Sequence, residues 1–265
     1  VSQGTPSRAR KIALIGVAAA LVAAGISGCA TGIENGALPS TPEITNQTGR
    51  IIQLWNGSWI AALAVGAVTW GLILWCVAVY RKRKDDDKLP VQMRAHLPLE
   101  LMYTAVPLIM IAVLFKYTAE DIAAIQDTSE TPDITIEVIG KQWSWDFNYV
   151  DDDTYTAGVQ AELTGEEGAE AKLPTLYLPV DERVEFHVLS RDVIHSFWIP
   201  AFLYKVDAVP GREAVFQVIP TQEGFYRGKC AELCGQYHAS MLFNVEVVSR
   251  AEFDAHMQDL RDAGF

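Results

Sequence analysis

The sequence predicts two membrane-spanning helices followed by an all-β sandwich or barrel that ends in a short helix. Three observations carry this reading. The stretch "SWIAALAVGAVTWGLILWCVAVY", Ser58 to Tyr80, holds no charge and is long enough to cross a bilayer. A second apolar run lies close behind it, around Leu101 to Phe115. From Thr131 the pattern becomes alternation of apolar and polar residues in short runs, punctuated by Pro, Gly and Asp. Composition agrees: 50% of the 265 residues are hydrophobic, high for a water-soluble chain and modest for a wholly membrane-embedded one. The net charge of −12 argues against a nucleic-acid ligand, whose phosphates need a basic face, and suits a cationic protein partner.

The first element reads as an export signal over residues 1–28. Arg8, Arg10 and Lys11 precede an apolar run from Ile12 to Gly25, which ends in "ISGCA". Two readings of Cys29 stand. The small residues before it resemble the lipobox of bacterial lipoproteins, in which the cysteine is lipidated. Alternatively an ordinary signal is cleaved nearby and Cys29 is incidental. Residues 29–57 then form an exported segment.

A helical hairpin is expected over residues 58–118. Trp59, Trp75 and Tyr80 sit near the ends of the first span, where aromatic rings favour the interface, and Cys76 inside it reads as a small apolar residue. "RKRK", Arg81–Lys84, makes the loop at about 81–96 cytoplasmic. The second apolar run has only fifteen residues between Glu100 and Lys116, but Leu97 to Tyr117 reaches spanning length if Lys116 snorkels. Both ends of the hairpin then lie outside. Glu100 has two readings: a cap suited to the helix dipole, or a functional acid near the cytoplasmic end of a membrane helix. Residues 119–130 read as a linker.

Over residues 131–248, "ITIEVIG", "TLYLPV", "VEFHVLS", "EAVFQVI" and "LFNVEVV" predict strands of an antiparallel sandwich or barrel. "SRAE", Ser249 to Glu252, has the form of a capping box and starts a terminal helix ending near Gly264, within residues 249–265. Between Asp146 and Glu170 there are eight acids and no Lys or Arg, which reads as a solvated acidic loop or a docking surface.

The chemistry is concentrated in "KCAELCGQYHASM", Lys229 to Met241. The cysteines of the chain, Cys29, Cys76, Cys230 and Cys234, are too few and too uneven for a disulfide framework. Cys230 and Cys234 could still pair in an exported domain. His238 and Met241 beside them point to a metal. A thioether is a poor zinc ligand, whereas thiolate, imidazole and thioether together suit copper. "DVIHSFWIP" supplies a further imidazole, His195. A mononuclear blue-copper site uses one Cys, two His and an axial Met, so this set holds one thiolate more than that site needs. Two thiolates can bridge a copper pair, with a histidine on each ion and Met241 on one. His187, His256 and His96 are weaker candidates by their positions.

"CAELCGQYHASM" after "DVIHSFWIP" resembles the dinuclear copper (CuA) motif of the cytochrome c oxidase subunit 2 family, and the likeness extends over about residues 50 to 250. It implies a cupredoxin-like Greek-key β domain. It implies Cys230 and Cys234 as bridging ligands, His195, His238 and Met241 as terminal ligands, and the Glu232 carbonyl on one copper. The Glu232 side chain is then a candidate magnesium ligand at the subunit 1 interface, with Asp207 of "KVDAVPGR" nearby. "GKQWSWDFNY" matches the family's aromatic stretch. It makes Trp143 the entry point for electrons from cytochrome c, although Trp143 and Trp145 also fit a plain strand with aromatics on one face. Glu100, seven residues before Pro107, matches the acid at the mouth of a proton path into subunit 1. The function implied is the electron-entry subunit of a respiratory terminal oxidase in a bacterial cell membrane, with its copper domain on the outer face and subunits 1 and 3 as partners. The long acidic stretch after Tyr149 departs from the usual family loop, which makes a membrane-bound or complex-fused cytochrome a donor to consider, within a supercomplex. A copper carrier for assembly and a copper subunit of a nitrogen-oxide reductase are the competing classes. A quinol-oxidase subunit would lack these ligands.

Overall fold

The computed structural model describes residues 43–81, 92–161 and 173–265. The expected export signal, Cys29, Lys82 to Lys84 of the basic run and most of the loop expected on the cytoplasmic side lie outside the described residues.

The hairpin consists of α1 (Thr48–Val79, 32 residues) and α2 (Leu97–Ile125, 29 residues). Both are long and apolar enough to cross a membrane. Their large apolar side chains stand exposed all round, as expected of helices whose solvent is lipid or another apolar protein surface. Each helix overruns the expected span at its outer end. Helix α1 starts ten residues before Ser58, and α2 runs through much of the expected linker to Ile125. The reason is polar anchoring that hydropathy does not register. Thr45 Oγ1 accepts the backbone N–H of Gln47 and of Thr48, where α1 begins. Gln47 Nε2 donates to the Ala124 carbonyl at 3.3 Å, and Arg50 pairs with Asp121 at 2.9 Å. These contacts hold the two outer ends together and extend helix beyond the lipid-facing run.

The β domain is a sandwich of two five-stranded sheets. Its strands are β1 (Ile134–Lys141), β2 (Ser144–Tyr149), β3 (Thr154–Thr156), β4 (Thr175–Pro179), β5 (Val184–Ser190), β6 (His195–Ile199), β7 (Tyr204–Ala208), β8 (Ala214–Val218), β9 (Gly224–Cys230) and β10 (Leu242–Val248). The orders are β3-β2-β1-β5-β8 and β4-β10-β9-β6-β7. This is the cupredoxin-like arrangement expected, with one correction: the sheets are mixed rather than purely antiparallel. Strand β1 pairs with β5, and β4 with β10, in parallel. Strands adjacent in a sheet but far apart in the chain can return in the same direction, which periodicity within one strand does not reveal.

Alternation in β1, with every second residue buried, turns Ile134, Ile136 and Val138 inward. The two inner faces meet through stacked Phe197 and Phe243, ring centroids 5.1 Å apart, with Trp145 edge-on to both. Trp145 is therefore core, as its strand reading allowed. Helix α3 (Arg250–Ala263) starts at the expected capping box, with the Ser249 and Glu252 side chains each engaging the other's backbone, and Gly264 in the left-handed conformation ends it. Its Phe253 and Met257 are buried against the sandwich.

The hairpin is tied to this sandwich. Asn46 N–H donates to the Ile219 carbonyl, Ile219 N–H to Asn46 Oδ1, and Thr221 N–H to the Ile44 carbonyl. The expected acidic loop is partly structure: Asp146 lies in β2 and pairs with Lys141 at 2.6 Å, and Asp152 pairs with Arg261 at 3.2 Å. Glu162, Glu166, Glu167 and Glu170 lie outside the described residues.

Candidate metal centre

The site forms where three segments meet at one end of the sandwich: the start of β6, the end of β9 and the loop into β10. Pairing of Phe197 with Cys230 sets β6 beside β9. Past the end of β9, Ala231 N–H donates to the Ser196 carbonyl, and Cys230 N–H donates to the Met241 carbonyl. These bonds close the Cys230–Met241 loop onto β6. Within the loop, Gly235 adopts φ 118°, and a 3₁₀ turn at His238–Ser240 returns the chain to β10. A loop of this shape brings side chains four and seven residues from Cys234 back toward it.

The five predicted ligand side chains converge. Cys230 Sγ and Cys234 Sγ are 3.8 Å apart, and both thiols are free. His195 Nδ1 lies 3.9 Å from Cys230 Sγ, and His238 Nδ1 lies 3.5 Å from Cys234 Sγ. Met241 Sδ is 3.7 Å from Cys234 Sγ. His195, Cys230, Cys234 and Met241 are buried. The ligand atoms of His195, Cys230 and Cys234 fall within 4.8 Å of one another. The Glu232 carbonyl oxygen faces the same place, 3.2 Å from Cys230 Sγ. Gly140 on β1 makes room for the imidazole: a Cβ there would stand 3.0 Å from His195 Cδ2.

Electrostatics prepare one thiolate. Burial disfavours a charge on Cys230, but hydrogen bonds from His195 and from the backbone around Glu232 and Ser196 outweigh it and bring this thiol down to about 6. Burial, followed by the Cys230 charge beside it, pushes Cys234 up to about 12. The two sulfurs therefore titrate as a pair, and a bound cation would favour loss of the second proton. A soft cation satisfies both demands, because two thiolates, two imidazoles and a thioether form a copper donor set. The residues present thus fit copper, and the arrangement suits holding it rigidly rather than hydrolysing a substrate.

Asp192, Gln142 and Tyr237, to which the sequence assigned no role, brace this set together with Trp143. Asp192 Oδ1 lies 2.7 Å from His195 Nε2, and its Oδ2 accepts the Gln142 backbone N–H at 2.7 Å. Gln142 Nε2 and Trp143 Nε1 both donate to the Cys234 carbonyl, at 2.8 and 3.1 Å. Tyr237 packs edge-on against Trp143. An acid three residues before a ligand histidine was the available signal.

The other predicted residues lie elsewhere. Trp143 sits in the β1–β2 turn beside the site rather than within a strand. Glu232 turns its carboxylate back to the Leu233 N–H at 3.0 Å on an exposed surface. Asp207 is exposed on β7, opposite Ser196. Glu100 caps α2: its Oε1 accepts the His96 N–H at 2.8 Å, while His96 Nδ1 accepts the Leu99 N–H. His187 lies between Glu185 and Glu213, and His256 stacks on Tyr177, both apart from the cysteine loop.

The family described as "Cytochrome C oxidase subunit II, periplasmic domain" matches residues 134–248. A probable cytochrome c oxidase subunit 2 of Streptomyces avermitilis is 40% identical, over 96% of this chain and 88% of its own length. The cytochrome c oxidase subunit 2 of Mycobacterium bovis is 35% identical, over 98% of this chain and 84% of its own. Among solved structures, the periplasmic domain of subunit II of cytochrome oxidase from Bradyrhizobium japonicum covers 51% of this chain and 97% of its own, with 30% identity and a TM-score of 0.44.

Proposed function

Because the chain belongs to the cytochrome c oxidase subunit II family, we propose that it is the electron-entry subunit of a respiratory haem-copper oxidase. The observation that best supports this reading is the convergence of Cys230, Cys234, His195, His238 and Met241 at one end of the β domain with both thiols free. A bound dinuclear copper (CuA) supplies one-electron chemistry between a cytochrome c donor and a haem of subunit 1, where oxygen is reduced to water and protons are translocated.

In this reading Cys230 and Cys234 would hold the metal pair between them, with His195, His238, Met241 and the Glu232 carbonyl as the remaining ligands. Asp192 holds the His195 ring so that Nδ1 faces the cysteines. Burial of the sulfurs and of His195 excludes water and keeps the surroundings from rearranging when charge changes. Trp143 offers an aromatic route from the surface, because its indole N–H reaches the Cys234 carbonyl. Glu100 takes the role of the acid at a proton-path entrance in addition to capping α2. Glu232 and Asp207 remain candidates for magnesium at the subunit 1 interface. The hairpin spans the cell membrane beside subunits 1 and 3 and leaves the β domain on the outer face. The donor is cytochrome c or a membrane-bound c-type cytochrome within a supercomplex, and Cys29 carries a lipid. A copper carrier is the second reading, but a set in which His195, Cys230, Cys234 and Met241 are buried and braced from three segments suits retention better than exchange.

The test is rapid mixing of reduced cytochrome c with the assembled complex containing this chain. The parent should show oxidation of the donor before haem reduction, and Trp143→Ala should slow that first phase. Direct haem reduction at an unchanged rate in the variant would contradict the assignment.

A further inference from the structure

The β1–β2 turn does more for the metal centre than present Trp143. Gln142 grips the site from two sides. Its backbone N–H donates to Asp192 Oδ2 at 2.7 Å, and the other oxygen of that carboxylate lies 2.7 Å from His195 Nε2. Its side-chain Nε2 donates to the Cys234 carbonyl at 2.8 Å. A single residue therefore links the brace of one terminal ligand to the backbone of a bridging ligand. Trp143 Nε1 shares the same carbonyl at 3.1 Å, so the position of that oxygen also sets where the indole sits. The loop accommodates this approach at Gly235, where φ is 118° and a Cβ would stand 3.1 Å from Gln142 Nε2 and 3.2 Å from Trp143 Nε1.

Gln142 is exposed and adds nothing to the hydrophobic core. One hydrogen bond at such a place does little for folding. Metal sites respond differently, because supporting residues must fix the ligands to within fractions of an ångström. We infer that Gln142 is a positioning residue for the copper centre: its two hydrogen bonds set the Cys234 side of the site against the His195 side and seat Trp143 on the Cys234 carbonyl. The inference rests on the reading that these ligands hold copper.

The experiment uses the full chain in detergent with Gln142→Ala and Gln142→Glu. The first variant deletes the side-chain donor. The second keeps its size but turns an oxygen toward the carbonyl. Three properties are compared with the parent: the electron paramagnetic resonance spectrum of the copper form, copper loss to a chelator, and the rate at which Cys234 of the metal-free chain is alkylated. Both variants should fold with the parent's melting temperature, alter the copper hyperfine pattern, lose copper about 10-fold more readily, and expose Cys234 to faster alkylation. Variants that match the parent in all three properties would overturn the inference. So would a Gln142→Ala chain that fails to fold, because the residue would then serve the fold rather than the site. If the parent itself forms no copper pair, the functional reading fails instead, and the alkylation rates of the metal-free chains still report whether Gln142 holds the loop.

Discussion

Asp192 Oδ1 lies 2.7 Å from His195 Nε2, while His195 Nδ1 faces Cys230 Sγ at 3.9 Å. An imidazole that donates from Nε2 keeps the Nδ1 lone pair for a metal. Burial works against the Asp192 charge, but the Gln142 N–H, His195 and the Val193 N–H together hold its carboxyl below the usual range. The acceptor is therefore charged at neutral pH. Asp192→Ala should weaken copper retention by about 10- to 100-fold, and Asp192→Asn, which keeps an acceptor, by less. Competition with a chelator measures both. Equal retention in Asp192→Ala and the parent would mean that the ring is held by packing alone.

Met241 is wholly buried with its sulfur 3.7 Å from Cys234 Sγ. Met241→Leu nearly conserves volume and should cost less than about 1.5 kcal/mol of stability. Its effect should fall on the metal. Loss of a donor disfavours the oxidised form, so the reduction potential should rise while copper still binds. Redox titration followed optically measures the shift, and thermal melting provides the stability control.

His187 gives a pH dependence unrelated to the metal. Its Nδ1 lies 2.7 Å from Glu213 and its Nε2 2.9 Å from Glu185, while Glu137 of β1 is its register neighbour. Burial lowers its proton affinity, but the two carboxylates outweigh that and raise the pKa above its ordinary value. A raised folded-state pKa means that the stabilisation is fully present below the unfolded value, near pH 6.5. It fades as pH rises through the higher folded value. His187→Gln should therefore melt below the parent at about pH 5.5, and the difference should shrink toward pH 9. A gap that widens with pH would contradict this pairing.

Several features were legible in the sequence because their signal is local. Alternation in "ITIEVIG" marked β1, Ser249 and Glu252 marked the start of α3, and the clustering of Cys230, Cys234, His238 and Met241 marked the candidate metal centre. Features that depend on distant partners were not legible. The parallel pairing of β1 with β5 arises from the path of the chain between them. The early start of α1 depends on Thr45 and on Gln47 reaching Ala124. The role of Gln142 was not legible, because its partners lie 50 and 92 residues away. At Glu100 the sequence left two readings open, and the structure shows the cap directly.

The central claim is that Cys230 and Cys234 bridge a copper pair instead of joining each other or holding a single ion. The most direct measurement is copper content together with the electron paramagnetic resonance spectrum of the full chain loaded with copper in detergent. The expected result is a copper pair in each chain sharing one unpaired electron, with hyperfine structure from both nuclei. A single localised Cu(II), or a disulfide between Cys230 and Cys234 that excludes metal, would contradict it.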